Sequence, residues 1–344
     1  MATIKKAYRL KEEPAIPSTY LGSTIKQWSI PRDARKIWSM NSQFYIKEAI
    51  QCLENELQKS GMRLVGKPNT PMQQNYRPEL DISPILGPEQ ANYYQNLIGV
   101  LHWAVELGRL DIFVDVSMLS SHLAEPRIGH LQQVLHIFAY LKHHDQSTIV
   151  FDPTSVDWDD SQFPEHEWQK FYRDAKEPIP PNVPEPRGNS VQINAFVDAN
   201  HAGDRLTRRS QTGILIFLNR SPIIWYSKKQ NTVESASFGS KFVAMQIGVE
   251  MIESLRYKLR MFGILIDGPT NTFCDNKSVV INSTIPTSQL KKKHNSIAYH
   301  RVREAVASKT IRIAKVNSKE NLADFLTKPL GAADLKAMIQ QILW

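Results

Sequence analysis

The sequence contains little cysteine and no long hydrophobic run. Only two of its 344 residues are cysteines, Cys52 and Cys274; they lie far apart and form no ligand pattern, as suits a protein of a reducing compartment. No apolar stretch approaches the roughly 20 residues that a membrane-spanning helix requires, and the first residues carry no signal-peptide core. These absences argue against a disulfide-stabilised secreted domain and against a membrane protein.

What the sequence does contain is basic charge and ample apolar surface. The 42 Lys and Arg residues exceed the 34 Asp and Glu residues, giving a net charge of +8. This balance favours an anionic partner, nucleic acid first, although a merely basic soluble protein would show it too. A hydrophobic content of 42% is enough for real cores and excludes a disordered chain. The length suggests about two domains.

Composition divides the chain into three stretches. Residues 1–150 predict a mainly helical module with a strand-like start at 19–25, because apolar residues then recur at helical spacing. The helical segments are 44–57, 91–107, 111–123 and 129–141. Residues 151–190 predict an extended linker, because seven prolines and nine acidic residues crowd this stretch against four basic ones. The aromatic residues of the linker, which indicate that part of it lies against a domain surface, are Trp158, Trp168, Phe171 and Tyr172.

Residues 191–344 predict a mixed α/β domain. Strand-like and helix-like segments alternate there, which is typical of one sheet with helices packed on it. The predicted strands are 191–198, 213–218, 223–227, 270–275 and 310–316. The predicted helices are 238–262, 276–282, 294–308, 322–327 and 332–343.

Three aspartates in this domain have settings that suit a metal-dependent nuclease. Asp198 and Asp275 end two predicted strands, and Asp324 lies at a predicted helix start. Carboxylates at neighbouring strand ends can converge on two Mg²⁺ ions about 4 Å apart, which activate a water and stabilise the leaving oxygen in phosphodiester cleavage. Each aspartate alone is weak support, because an Asp after a strand is more often a turn or helix-cap residue.

Several motifs resemble the ribonuclease H (RNase H) domain of Ty1/copia-type retrotransposon polyproteins. They are FVDANHAGD (196–204), SQTG (210–213), PIIWYSKKQ (222–230), CDN (274–276) and LADFLTKPL (322–330). Upstream, YLG (20–22), YYQNLIG (93–99) and LHIFAYLK (135–142) resemble the thumb and connection region that follows the reverse-transcriptase palm. The resemblance implies an RNase H-like five-stranded mixed sheet with flanking helices, preceded by a mainly helical connection module. It also implies two-metal hydrolysis of RNA in RNA–DNA hybrids.

Two departures from the family pattern limit this expectation. No Tyr-x-Asp-Asp sequence is present, so the chain is expected to be the C-terminal part of a polyprotein that lacks the polymerase palm and does not synthesise DNA. The family's catalytic Asp, Glu, Asp and Asp fall on Asp198, Lys241, Asp275 and Asp324. A lysine would repel the metal and pair with Asp198 or Asp324 instead. The alternative is a solvated Lys241 and a helix register shifted by one turn.

Basic residues near these motifs predict contacts with nucleic acid. The candidates are Arg208, Arg209, Lys291, Lys292, Lys293, His294 and Arg301, with Asn276 as a minor-groove contact. Contacts with phosphates would give a salt-dependent affinity. The alternative for the triple lysine is a solvated charge run.

The leading hypothesis is a retrotransposon-derived RNase H-like domain whose two-Mg²⁺ catalysis is impaired by Lys241. The alternatives are a non-catalytic nucleic-acid binder, an assembly module that acts through its connection helices, or a decayed element product. The expected partners are an RNA–DNA hybrid, a reverse-transcriptase palm or another polyprotein copy, with no membrane. The expected location is the cytoplasm, the nucleus or a virus-like particle.

Overall fold

The computed structural model describes residues 15–29 and 35–344. The parts of the predicted helical module at 1–14 and 30–34 lie outside the described residues. Within the two described ranges, no helix is long and apolar enough to cross a bilayer.

Among the described residues, the N-terminal part contains four α-helices and a four-stranded antiparallel sheet. Its strands, neighbours in chain order, are β1 (Thr19–Tyr20), β2 (Ser23–Ser29), β3 (Lys36–Asn41) and β4 (Thr148–Phe151). Its helices are α1 (Gln43–Lys59), α2 (Pro88–Glu106), α3 (Phe113–Ser120) and α4 (Ile128–His143). All four helices and the strand-like start were predicted, whereas β3 and β4 were missed. Those two strands pair with each other although the whole helical segment lies between them in the sequence, so no local pattern predicts the pairing.

Helix α1 shows why the predicted segments fold as helices. Its buried residues Ile46, Ile50, Leu53 and Leu57 recur every three or four positions and so share one face. Helix α2 begins at Pro88, whose fixed φ and missing N–H suit a first helical position. These faces meet in one apolar core that also contains Tyr94, Leu101 and Phe138.

Residues from 191 onward form a five-stranded mixed sheet, as predicted. Its strands are β5 (Ile193–Asn200), β6 (Gln211–Leu218), β7 (Ser221–Lys229), β8 (Thr270–Cys274) and β9 (Ile311–Lys315). They lie in the order β7–β6–β5–β8–β9. Neighbours β7, β6 and β5 are antiparallel, whereas β5, β8 and β9 are parallel. This strand order and mixture of directions match the expected RNase H-like architecture.

Helices cover both faces of this sheet. The helices are α5 (Ser237–Met261), α6 (Lys277–Thr284), α7 (Ser296–Ala307) and α8 (Ala332–Ile339). The first and third pack on one face around Phe242, Val249 and Val302. The other face, with Phe196 and Phe273, packs against the C-terminal segment.

Two predicted C-terminal helices are shorter in the structure. The segment predicted at 322–327 forms only a 3-10 turn, Asp324–Leu326. Pro329 prevents the turn from continuing as a helix, because a proline disfavours helical backbone at the residue before it. The last helix ends at Ile339 rather than at residue 343.

Residues 152–190, here called the strap, lie along the surface of the sheet domain. The Trp158 indole N–H donates to Asn194 Oδ1 at 2.8 Å, and its ring packs on Phe273. Further along the strap, Glu177 accepts hydrogen bonds from both Arg256 and Arg260. These contacts hold the strap against the sheet domain, where Trp168 is also buried.

The helical part and the sheet domain share an interface. Ser117 of α3 donates to the Ser227 carbonyl at 2.9 Å and accepts from Gln211 Nε2 at 3.0 Å. Trp225 packs against both apolar cores. The backbones of Thr148 and Trp344 exchange two hydrogen bonds of 3.0 Å.

Candidate active site

The first two aspartates meet because their strands are parallel neighbours. Strands β5 and β8 pair in a register that sets Phe196 beside Phe273, so Asp198 and Asp275, each two residues further on, lie at the same edge of the sheet. Asp198 belongs to β5 and is buried. Asp275 directly follows β8 and precedes the N-terminal cap of α6.

Lys241 lies between these two carboxylates. It belongs to the second turn of α5, and its Nζ is 2.5 Å from Asp198 Oδ1 and 2.5 Å from Asp275 Oδ1. Its side chain is only 13% exposed, so it is not a solvated helix residue. Burial by itself would lower the pKa of Lys241, but the carboxylates of Asp198 and Asp275 outweigh burial and raise that pKa above its usual range. The ammonium group is therefore charged at neutral pH.

Asp324 lies at the start of the 3-10 turn and pairs with a different lysine. Its Oδ1 accepts from Lys328 Nζ at 2.7 Å, so the expected alternative of a Lys241–Asp324 pair is not formed. Burial raises the pKa of Asp324, and the negative charge of Asp198 raises it further, although Lys328 and Lys241 oppose the shift. Asp324 thus shares the electrostatic environment of Asp198 and Lys241.

Two hydroxyl groups complete the hydrogen bonding of the paired aspartates. Thr327 Oγ1 donates to Asp198 Oδ2 at 3.1 Å, and Ser318 Oγ donates to Asp275 Oδ2 at 3.0 Å. Each carboxylate therefore has one oxygen on Lys241 and the other on a hydroxyl. The sequence reasoning did not assign these roles, although Thr327 lies within the LADFLTKPL motif.

Gly213 allows the segment with Asp324 to approach Asp198. It pairs directly with Asp198 across β5 and β6. A Cβ atom at Gly213 would lie 2.7 Å from the Ala323 carbonyl oxygen and 2.7 Å from Thr327 Cγ2. Asn321 holds the same segment from the other side, because its Nδ2 donates to the Val197 carbonyl at 3.0 Å. Backbone packing thus places the third aspartate.

The residues at this edge do not fit a pair of Mg²⁺ ions. Throughout residues 15–29 and 35–344, no three His, Cys, Asp or Glu side chains form a group that could hold a metal. Asp198, Asp275 and Asp324 supply oxygen ligands of the right chemistry, but the Lys241 ammonium already lies between the first two. Two like unit charges 4 Å apart repel by about 4 kcal/mol at an effective dielectric constant of 20, and a divalent ion doubles that energy.

Comparison with known proteins identifies the relatives of this chain. It is 26% identical over 238 residues to the retrovirus-related Pol polyprotein from transposon RE1 of Arabidopsis thaliana, a match covering 69% of this chain and 14% of the relative. It is 25% identical over 302 residues to the corresponding polyprotein from transposon TNT 1-94 of Nicotiana tabacum, covering 86% and 19%. The chain is a homologue of copia-type retrotransposon Pol polyproteins.

The homology extends over both parts of the chain, because a match to 86% of it must include helical module and sheet domain alike. The chain spans less than a fifth of the length of these relatives. No family model matches it. Among solved structures, LC11-RNase H1 in complex with an RNA/DNA hybrid is 13% identical and covers 40% of this chain and 94% of its own, with a TM-score of 0.32. A score of this size carries no weight, so the fold assignment rests on the strand order.

The predicted nucleic-acid contacts of this Pol homologue fall into two groups. The exposed group includes Arg209, which lines a small cavity with Asn200 and Thr327, and the residues Lys291, Lys293 and His294, the last of which contacts Glu234 before α5. Arg208 is exposed in the same loop as Arg209, and Lys292 donates to Ser235 Oγ at 3.2 Å.

Other predicted contacts are already engaged within the fold. Arg301 pairs with Glu253 of α5. Asn276 caps α6, because its Oδ1 accepts from the Val279 amide at 3.1 Å. His300, on the flank of the same face as Arg301, has its Nδ1 2.6 Å from the Tyr172 hydroxyl of the strap. The strap therefore covers part of the α7 face that the sequence suggested for nucleic acid.

Additional lysines that the sequence reasoning did not assign lie close to Asp275 along the chain or in the sheet. Lys277 follows Asn276, Lys315 ends β9, and Lys319 follows Ser318; all three are exposed. Each comes at or just after the end of a predicted strand, a signal that could have indicated them. Together with Lys241 and Lys328, they oppose the charge of Asp198, Asp275, Asp324 and the nearby Glu320.

Proposed function

We propose that this Pol polyprotein homologue contains an RNase H-like domain that binds an RNA–DNA hybrid, or a related nucleic acid, without hydrolysing it. The observation that carries the proposal is the position of Lys241 Nζ, 2.5 Å from one oxygen each of Asp198 and Asp275. Two-metal hydrolysis needs divalent cations in contact with such carboxylates. The lysine takes the place of the cation but cannot activate a water as a metal does.

Lys241 is also unsuited to proton transfer. A general base must be deprotonated near the operating pH, whereas the carboxylates of Asp198 and Asp275 overcome the effect of burial and raise the pKa of Lys241. The ammonium group therefore keeps its proton, and its effect is limited to neutralising the two carboxylates.

Binding of nucleic acid does not require divalent cations. In a two-metal site the cations shield phosphates from the carboxylates, and here Lys241 and Lys328 neutralise Asp198, Asp275 and Asp324 in part. The exposed lysines at the same edge add positive charge for phosphate contacts. The affinity for a hybrid should therefore persist in EDTA and fall with rising salt.

The test is cleavage of an RNA–DNA hybrid in Mg²⁺ by the natural chain, by Lys241→Glu and by Lys258→Glu. The last is a matched control on α5, because Lys258 is exposed and roughly 25 Å further along the helix. We expect cleavage only by Lys241→Glu, which completes the set of four carboxylates. Cleavage by the natural chain as fast as by Lys241→Glu would contradict the proposal.

A binding measurement tests the second half of the proposal. Fluorescence anisotropy with a labelled hybrid in EDTA should give a dissociation constant that rises with salt. Failure to bind RNA, DNA or the hybrid would contradict nucleic-acid binding and favour an assembly role.

A further inference from the structure

A buried carboxylate lies close to the start of α5. Glu234 is 7% exposed, and its Oε2 accepts from Asn295 Nδ2 at 2.9 Å and lies 3.2 Å from His294 Nε2. Burial of an ionised group is costly unless hydrogen bonds compensate. The loop that precedes α5 is thus joined to the segment that precedes α7.

The two partners of Glu234 belong to or adjoin the basic segment, here defined as Lys291–His294: His294 is its last residue, and Asn295 follows it. Lys292 of this segment also reaches the loop before α5, where its Nζ is 3.2 Å from Ser235 Oγ. Lys291, Lys293 and His294 remain exposed. The contacts of Glu234 and Ser235 therefore fix the backbone of the basic segment and leave most of its charges available.

Gly239 makes room for Glu234. A Cβ atom at Gly239 would lie 2.3 Å from Glu234 Oε2 and 3.2 Å from Asn295 Oδ1. Glycine inside a helix costs about 1 kcal/mol relative to alanine, and the close approach of the carboxylate accounts for it here. Gly239 is two residues from Lys241, a rise of roughly 3 Å along α5, so the Glu234 contacts and Lys241 lie at the same end of the helix, on different sides of it.

We propose that Glu234 is a positioning residue for nucleic acid: it holds the basic segment beside the start of α5, where the lysines of that segment meet phosphates. This inference rests on the proposed function, because it assigns a role in the same binding event. Charge alone predicts the opposite effect, since an acidic group among lysines weakens attraction for phosphate. The role of Glu234 is geometric, and substitutions can separate geometry from charge.

The first experiment compares Glu234→Ala with Glu234→Gln. Binding of an RNA–DNA hybrid is measured at several salt concentrations. We expect Glu234→Ala to bind about tenfold more weakly despite its higher positive charge, with the salt slope reduced by about 0.9 for each lost phosphate contact. Glu234→Gln keeps an acceptor for Asn295 Nδ2 and should bind close to the natural chain.

Gly239→Ala supplies a second perturbation that leaves the charge unchanged. The methyl group displaces the Glu234 carboxylate, so binding should weaken even though alanine favours the helix. When Lys291, Lys292 and Lys293 are all replaced by alanine, Gly239→Ala should have no further effect on affinity, because the two changes act on the same contacts. Cooperative thermal melts of every variant show whether each one folds.

Unchanged or tighter binding by Glu234→Ala, with an unchanged salt slope, would overturn the positioning role while leaving the proposed function intact. An additive effect of Gly239→Ala in the alanine-substituted background would also overturn it. Absence of binding by the natural chain would overturn both proposals.

Discussion

Lys241→Met tests the central ion pair without a large change in side-chain size. The substitution leaves the Asp198 and Asp275 carboxylates facing each other with no cation between them, while Thr327 and Ser318 still hold their outer oxygens. Both carboxylates are well shielded from water, with side-chain exposures of 5% and 13%. The variant should therefore lose stability.

The expected loss is about 3 kcal/mol. Removing one partner of a buried ion pair costs roughly 3 to 5 kcal/mol, and the partial exposure of Lys241 places it at the lower end. For a domain of roughly 150 residues, each kcal/mol lowers Tm by about 2 to 4 °C, so a fall of about 6 to 12 °C is expected. Because the folded-state pKa of Lys241 is raised above the ordinary 10.5, its contribution is complete below pH 10.5 and is lost as the pH rises through the raised pKa.

The assay is thermal unfolding followed by circular dichroism, with and without Mg²⁺. Mg²⁺ should raise the Tm of Lys241→Met but not that of the natural chain, because only the variant leaves the Asp198 and Asp275 carboxylates without a cation between them. Lys258→Met is the matched control on the same helix. A Tm for Lys241→Met equal to that of the natural chain at pH 7 would refute the reasoning, as would a Mg²⁺ response of the natural chain.

Two further predictions concern charges elsewhere in the fold. Burial raises the pKa of Asp115 to about 8, so the natural chain should lose stability as the pH rises from about 4 to 8, whereas Asp115→Asn should not lose it. At pH 9 the variant should be more stable than the natural chain by up to roughly 5 kcal/mol. Urea denaturation at pH 5 and 9 measures this, and the same stability difference between the two proteins at both pH values would contradict it. Glu177→Gln weakens the contacts of the strap with Arg256 and Arg260 and should cost about 2 kcal/mol and speed proteolysis within the strap. Glu165→Gln, at an exposed position of the strap, is the control. Equal cleavage rates in the two variants would contradict a role of Glu177 in holding the strap.

The candidate site could be predicted from sequence because its parts follow local patterns. Apolar runs predicted the strands that carry Asp198 and precede Asp275, although β5 continues past Asp198 to Asn200. The position of Lys241 came from the family resemblance, with the small residues Gly239 and Ser240 before it supporting the register. The partner of Asp324 was not predictable in the same way. Asp324 pairs with Lys328, four residues further along the chain, rather than with Lys241. Which lysine it pairs with depends on where the 3-10 turn lies above the sheet.

Long-range contacts account for what the sequence did not reveal. Strand β4 exists because it pairs with β3 and with the backbone of Trp344, partners that no window of sequence contains. The role of Glu234 was missed for the same reason, since its hydrogen-bond partners are about 60 residues away in sequence. Buried polar contacts of this kind depend on tertiary approach, which periodicity does not encode.

Gly213 is required by the packing of the fold and not by the chemistry of the site. The space above it lets the Asp324 turn pack on β6 whether or not any residue at that edge binds a metal. A substitution there would push the turn outward and disturb the core around Leu326, so the glycine is constrained by packing. That constraint does not depend on whether the domain cleaves RNA. The outline of the site should therefore outlast any loss of its reaction.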